Sequence, residues 1–319
     1  MAAEASELAA GVRDVNPREE LLQELRPVAF AIAYRMLGSV AEAEDVVQEA
    51  LLQVHQALEA GEQLASPRAL VATVSTRRAI DQLRSARVRR EQYVGQWLPE
   101  PIITDGRDDP ARHAEMADSL SLAMLVLLER LSPEQRAVLL LHEVFGYGYP
   151  EVAAIVGKSQ AGVRQLATRA RRHLQQRRPR FQTTREQRDE LARRFFQAAE
   201  HGDLSGLEAL LAHDVELTGD GGGKVPALAR TLRGRSRVAR TLLDWARLAA
   251  RAPGRSVRPV EVNGGPGALY LDAQQRLLAV VALEVAGGQV TSIHAIVNPD
   301  KLTRLGPVGD FGSLRGSAG

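Results

Sequence analysis

The stretch from Tyr149 to Leu174, YPEVAAIVGKSQAGVRQLATRARRHL, constrains this chain more than any other. Its first half sets Val152, Ala153, Ile155 and Val156 at helical spacing and then turns at Gly157-Lys158. Ser159 caps a second helix whose inner face is Val163, Leu166, Ala170 and Leu174, spaced by three, four and four residues. The outer face of that helix shows Arg164, Gln165, Thr168, Arg169, Arg171 and Arg172, and no acid. Two short helices with apolar backs and a tight turn form a helix-turn-helix, in which one helix braces the DNA backbone and the second enters the major groove. A purely structural helical hairpin explains the apolar spacing equally well. It does not explain the missing acids, whereas DNA reading does, because Arg and Gln reach base edges and phosphates.

Charge along the chain points the same way. The net charge of +2 conceals an acidic stretch from Arg18 to Glu62 and a basic one from Arg77 to Arg90, where six arginines face only Asp81. A second basic run, without acids, extends from Arg164 to Arg180. One such run reads as a solvated helix face; two, each closing a helical unit, suggest contact with a polyanion at two places. Lysine occurs only at 158, 224 and 301, so the arginine excess also fits a GC-rich coding sequence. Cysteine is absent, which excludes disulfides, thiolate metal sites and cysteine nucleophiles. No apolar run approaches the ~20 residues that span a bilayer, and the first residues lack a basic segment followed by an apolar one. The expectation is a soluble, cytoplasmic protein without membrane contact and without a cofactor.

Its 319 residues allow two or three domains. Residues 18–92 read as three helices: one ending near Gly38, one from Ser39 or Val40 to Gly61, and one opened by Ser66-Pro67, an N-cap followed by proline at the first helical position. Residues 93–114, with Trp97-Leu98-Pro99-Glu100-Pro101, read as a linker. Residues 115–178 resume as helices, with Ser132-Pro133-Glu134-Gln135 forming a capping box. From 185 the pattern becomes two helices, a short strand, a glycine-rich stretch, a helix near 236–250 and four strands with turns at Gly264-Gly265 and Gly287-Gly288. This order predicts an α+β domain over 185–304, followed by a flexible tail, 305–319. Trp245 is expected to pack its helix on the sheet.

Together these motifs resemble region 2 and region 4 of the sigma-70-type RNA polymerase sigma factors, in their small extracytoplasmic-function (ECF) class. Asp45, Gln48 and Glu49 match the D-x-x-Q-E pattern of region 2. The resemblance implies that they dock on the clamp helices of the largest polymerase subunit, with region 4 meeting the flap of the second largest. The helix from Ala69 to Arg84 is similar to the one that holds open the −10 element, Asp81, Leu83 and Arg84 standing at its D-x-L-R signature. The −10 contacts implied are Arg77, Arg78, Asp81, Arg84 and Arg87. Two positions depart from the pattern: Leu70 replaces a common tryptophan, and Arg77 stands where many relatives have asparagine. The −35 contacts implied are Ser159, Arg164, Gln165, Thr168, Arg169, Arg171 and Arg172. Promoter DNA and polymerase core are the partners, and the role is binding without catalysis.

Trp97, Pro99 and Glu100, the run Asp220, Gly221, Gly222, Gly223 and Lys224, and the run Asn298, Pro299, Asp300 and Lys301 resemble the ECF subgroup with a fused SnoaL-like domain. That resemblance implies the cone-shaped α+β fold shared with nuclear transport factor 2 and ketosteroid isomerase, acting on the sigma modules in cis. The expected fold is thus multidomain, two all-α modules followed by the α+β cone. The glycine-lysine run lacks the P-loop spacing, since Val225 follows Lys224, and reads instead as a contact surface. A small ligand inside the cone is a second role open to the domain. His294, Glu216, Asp220 and Asp272 are the polar candidates for isomerase-like chemistry, although a lone His in an apolar strand is more often structural. His142-Glu143 lacks a second His at position 146, so no zinc site is expected. Two rival functions remain open at this point: a stand-alone ligand-sensing helix-turn-helix regulator, and an isomerase-type enzyme carrying DNA-binding modules.

Overall fold

The computed structural model describes residues 16–91, 93–104, 121–175, 184–250 and 254–310. The expected linker segment 105–114, the ends of the second module (115–120 and 176–178) and residues 311–319 of the tail lie outside the described residues, as does the side chain of Arg87. The described start of the tail, expected to be flexible, is bonded to Leu277, which donates to Pro307 O at 2.7 Å and accepts from Gly309 N at 2.9 Å.

Three helices open the fold: α1 (Pro17–Leu37), α2 (Val40–Glu59) and α3 (Pro67–Glu91). Their ends follow from local chemistry. Gly38 closes α1 in the left-handed region, at φ 68°, donating its N–H to Tyr34 O at 2.7 Å; without a Cβ it adopts this conformation at little cost. Ser39 and Ser66 then cap α2 and α3 through their Oγ atoms. The second module contains α4 (Leu122–Leu128), α5 (Pro133–Leu139), a π-helical turn (Leu140–Val144), α6 (Tyr149–Val156) and α7 (Gln160–Gln175). The capping box at the start of α5 forms, with Gln135 N donating to Ser132 Oγ at 3.2 Å and Ser132 N to Gln135 Oε1 at 3.0 Å. Gly157, at φ 65°, makes the turn between α6 and α7.

The two helical modules share one apolar core. Ile32, Met36, Leu37, Ile80 and Leu83 of the first are continuous with Leu125, Leu128, Leu139, Leu140, Leu141 and Val152 of the second. A smaller core, including Leu25, Val47, Val54 and Val71, belongs to the first module alone.

The C-terminal domain runs α8 (Arg185–His201), α9 (Leu204–Leu210), β1 (Leu211–Asp220), β2 (Leu232–Arg233), α10 (Arg235–Ala250), β3 (Ser256–Val262), β4 (Gly265–Leu271), β5 (Leu277–Ala286), β6 (Gln289–Ile296) and α11 (Pro299–Leu302). Its six strands are ordered β2-β1-β6-β5-β4-β3; β1 and β6 are parallel and all other neighbours antiparallel. Both sheet faces are covered, so β5 is buried almost throughout. Val281, Leu283 and Val285 point toward α8, α9 and α10, where Phe195, Leu207 and Leu217 fill the interior of the cone. Val280 and Ala282 point to the opposite face, where Leu98 of the linker and Leu122 of α4 cover them. Trp245, expected against the sheet, is 36 % exposed; Val238, Ala239 and Leu243 take the buried face of α10 instead.

Candidate nucleic-acid interface and linker contact

On α2, Asp45 and Gln48 are exposed and Glu49 is half-buried, all on one helix face. Leu52, one turn further, extends that face as a large apolar side chain 52 % exposed. Glu49 is ion-paired with Arg78 of α3. On α3, Arg77, Arg78, Asp81 and Arg84 are all exposed, yet none is idle. Arg77 Nε donates to Ile155 O at 2.8 Å and Nη2 to Ala154 O at 3.0 Å. Arg84 Nη2 meets Glu134 Oε1 at 2.5 Å and Nη1 lies 3.5 Å from Asp81.

On α7, Ser159 caps the helix by accepting from Gly162 N at 3.1 Å. Arg164, Gln165, Thr168, Arg169 and Arg172 are exposed on one side, while Val163, Ala167, Ala170 and Leu174 are buried on the other. Arg171 differs from its neighbours. Its Nε donates to Glu143 Oε1 at 2.7 Å and its Nη2 to Tyr149 OH at 3.2 Å, bonds that hold its guanidinium above its ordinary pKa. His142 stacks on Tyr149, with 4.2 Å between ring centres, and its Nδ1 bonds to Tyr147 O, which ties the end of the π-helical turn to the start of α6.

The three motifs of linker and C-terminal domain converge on Asp220, which is fully buried. Its Oδ1 accepts from Tyr93 OH at 2.5 Å and Gly222 N at 3.0 Å, and its Oδ2 from Leu98 N at 2.9 Å and Lys301 Nζ at 2.6 Å. Lys301 lies 4.2 Å from the centre of the Trp97 ring, a cation–π contact, and also donates to Leu98 O. Asn298 Nδ2 donates to Tyr93 OH at 2.9 Å and caps α11, which begins at Pro299. Lys224 Nζ reaches Asp300 at 2.7 Å. The glycines between make this closeness possible. A Cβ on Gly221 would stand 2.0 Å from Val225 O, and one on Gly222, at φ 60°, 2.4 Å from Asn298 Nδ2. Gly223 sits against Val94 in the same way.

The opposite edge of the linker grips the first module. Glu100, 6 % exposed, accepts from Val40 N at 2.8 Å and Ser39 Oγ at 3.3 Å, thereby capping α2, and its own N–H donates to Gly38 O at 2.7 Å. Pro99 packs beside Gly38, where an added Cβ would meet Trp97 Cη2 at 2.7 Å. Beyond Glu100 the linker pairs with the sheet edge: Asn263 N donates to Ile102 O and Thr104 N to Glu261 O, each at 2.8 Å.

Several residues in these contacts escaped the sequence reading. Tyr34 OH donates to Glu100 O at 2.7 Å and accepts from Asn263 Nδ2 at 2.8 Å; burial pushes its pKa up. Tyr93 is raised for the same reason, reinforced by Asp220. Neither tyrosine belongs to a motif, and their polar ends gain meaning only once three distant segments meet. The acid–base candidates are dispersed. Asp220 sits in the linker cluster, Glu216 pairs with Arg233, and Asp272 binds Arg276 within a turn. His294 faces away from the cone interior, opposite Thr218 on β1 and Ala282 on β5. Neither ring nitrogen has a hydrogen-bond partner, and burial lowers its pKa to about 4. Among the described residues no cluster of three or more His, Asp or Glu could hold a metal, and no helix is long and apolar enough to cross a membrane.

Comparison with known proteins agrees with this geometry. The family model Sigma-70 region 2 matches residues 21–89, and Sigma-70, region 4 matches residues 121–174. The ECF RNA polymerase sigma factor SigJ of Mycobacterium tuberculosis is 37 % identical over 288 residues, which cover 88 % of this chain and 91 % of SigJ. A probable ECF RNA polymerase sigma factor of the same organism, SigI, is 32 % identical over 278 residues, covering 86 % and 91 %. The crystal structure of the M. tuberculosis SigJ superposes with a TM-score of 0.73 at 35 % identity, covering 91 % of this chain and 99 % of that one.

Proposed function

Because the chain belongs to the ECF class of sigma-70-type RNA polymerase sigma factors, we propose a specific division of labour among its modules. As a sigma factor it binds core polymerase and promoter DNA and initiates transcription at specific promoters. Region 2, over residues 18–92, docks on the clamp helices of the largest subunit through Asp45, Gln48 and Glu49. The exposed acids of α2 suit a basic docking site, and Leu52 beside them offers an apolar anchor. Arg78, Asp81, Arg84 and Arg87 of α3 meet the melted −10 strand, where a basic track and base capture work together. Region 4, over 115–178, reads the −35 duplex through the exposed face of α7 and contacts the flap of the second-largest subunit. Arg171, tied to Glu143, supports that face rather than reading a base. The chain performs no catalysis; the polymerase does the chemistry, in the cytoplasm.

The SnoaL-like domain, over 185–304, regulates these modules in cis. Glu100 carries this reading, because one short strap caps the polymerase-docking helix α2 at one end and is held by Asp220 and Lys301 at the other. A change in the C-terminal domain, including a small ligand entering its cone, alters the strap and so the pose of α2. Such coupling needs two arrangements that the strap distinguishes. Promoter-dependent transcription with added core polymerase tests it. The full chain carrying Lys224→Ala or Lys301→Met is expected to initiate at an altered rate, while its affinity for −35 duplex stays that of the parent. Parent-like initiation by both variants would remove the cis role.

A further inference from the structure

One stripe of α3 faces region 4 and presents Arg77, Ile80 and Arg84 at three- and four-residue spacing. The two bonds from Arg77 end on Ala154 O and Ile155 O, in the last turn of α6 just before the helix-turn-helix bend. Those carbonyls lack partners within the helix and lie at its negative end, so a guanidinium gains both direct bonds and the helix-end field. Ile80 lies in the core shared by the two modules, and Arg84 reaches Glu134 at the start of α5. From the other side, Arg136 donates to Met36 O, near the end of α1. The stripe that the −10 role would call upon is therefore occupied by region 4.

We propose that Arg77 is a latch between regions 2 and 4 and not a reader of −10 bases. It holds α3 against the carbonyl end of α6, and promoter engagement requires its release. The inference rests on the assignment of α3 as the −10 helix. The reach is specific to a long, multidonor side chain: an asparagine here would be too short to span the gap to another helix with two donors.

The natural absence of cysteine makes the test direct. Ile80→Cys, in the shared core, is modified by a thiol reagent only when the modules part. Val54→Cys, in region 2's own core and 0 % exposed, is modified only when region 2 itself opens. Adding Arg77→Asn is expected to speed labelling of the Ile80→Cys chain about tenfold, as losing one or two charge-assisted bonds at an exposed site implies, with Arg77→Lys intermediate. The Val54→Cys chain should label at its original rate. No acceleration in the Ile80→Cys chain overturns the latch, and so does equal acceleration in both chains. Unchanged labelling together with an initiation defect confined to one −10 base pair would return Arg77 to base reading. The labelling involves neither DNA nor polymerase, so a failure of the promoter-binding roles appears only in transcription and is not confused with failure of the latch.

Discussion

Replacing Asp220 by asparagine removes the charge at the centre of the linker contact while keeping its volume. The carboxylate is fully buried and accepts from Tyr93, Leu98, Gly222 and Lys301, so all of its partners are donors. An asparagine keeps one acceptor oxygen, and whichever way it turns, its NH₂ faces two of those donors. Removing one partner of a buried ion pair costs about 3–5 kcal/mol. Lys301 is 12 % exposed and keeps Leu98 O as an acceptor, which places the expected cost near the lower end, about 3 kcal/mol. Local opening of the strap carries that cost, because β5 and β6 are held by their own ladder and by the cone core. Hydrogen exchange at the Leu98 amide reads it directly, since this amide is buried and donates to the altered group. Its exchange in Asp220→Asn should quicken roughly a hundredfold, whereas amides in the middle of β5 should exchange as before. A change smaller than about threefold at Leu98 would refute the reasoning, because the buried pair would then add little to holding the strap.

Other consequences are equally concrete. Gly38→Ala meets both a φ of 68° and Trp97 Cη2 at 2.7 Å, so it should lower stability by about 1–3 kcal/mol, seen as a lower urea midpoint and altered Trp97 emission. Arg169→Ala should weaken −35 binding by about 1–3 kcal/mol at one base pair if the side chain reads a base; a uniform loss with a shallower salt dependence would identify a phosphate contact instead. His294 has a folded pKa of about 4 against the ordinary 6.5, so the unfolded chain takes up its proton first as pH falls. Stability is therefore complete above about pH 6.5 and declines toward pH 4, by roughly 3 kcal/mol at most. Burial raises the pKa of Glu284, and that group acts in the opposite direction. Urea midpoints at pH 7 and pH 5 should differ less for His294→Leu than for the parent, and an equal difference would exclude His294 as the cause.

The helical modules were largely legible because their ends are written in local chemistry. Ser39, Ser66 and Ser132 cap helices, Gly38 and Gly157 end them, and the apolar spacing of α7 sets its buried and exposed faces without tertiary information. The strands β3 to β6 were legible as short apolar, β-branched-rich segments set off by paired glycines. The two-residue β2 and the parallel pairing of β1 with β6 were not, because neither leaves a periodic signal. The exposure of Trp245 was not legible, since a large aromatic on an amphipathic helix gives no indication that its smaller neighbours take the buried face. The motif residues around Asp220 were identified by resemblance, but which atoms meet was not. That depends on Tyr93, Tyr34 and Asn263, whose partners lie up to 229 positions away along the chain. The shared core of the two helical modules was hidden for the same reason: Ile80 and Leu83 read as the buried face of one helix, whatever that helix packs against.

Transcription with purified bacterial core polymerase on a library of promoter sequences tests the promoter-specificity role most directly. The full chain should bind core and start transcription only when both are present, selecting templates that share one sequence block near −35 and another near −10. Failure to bind core, with no initiation on any template, would contradict that role outright.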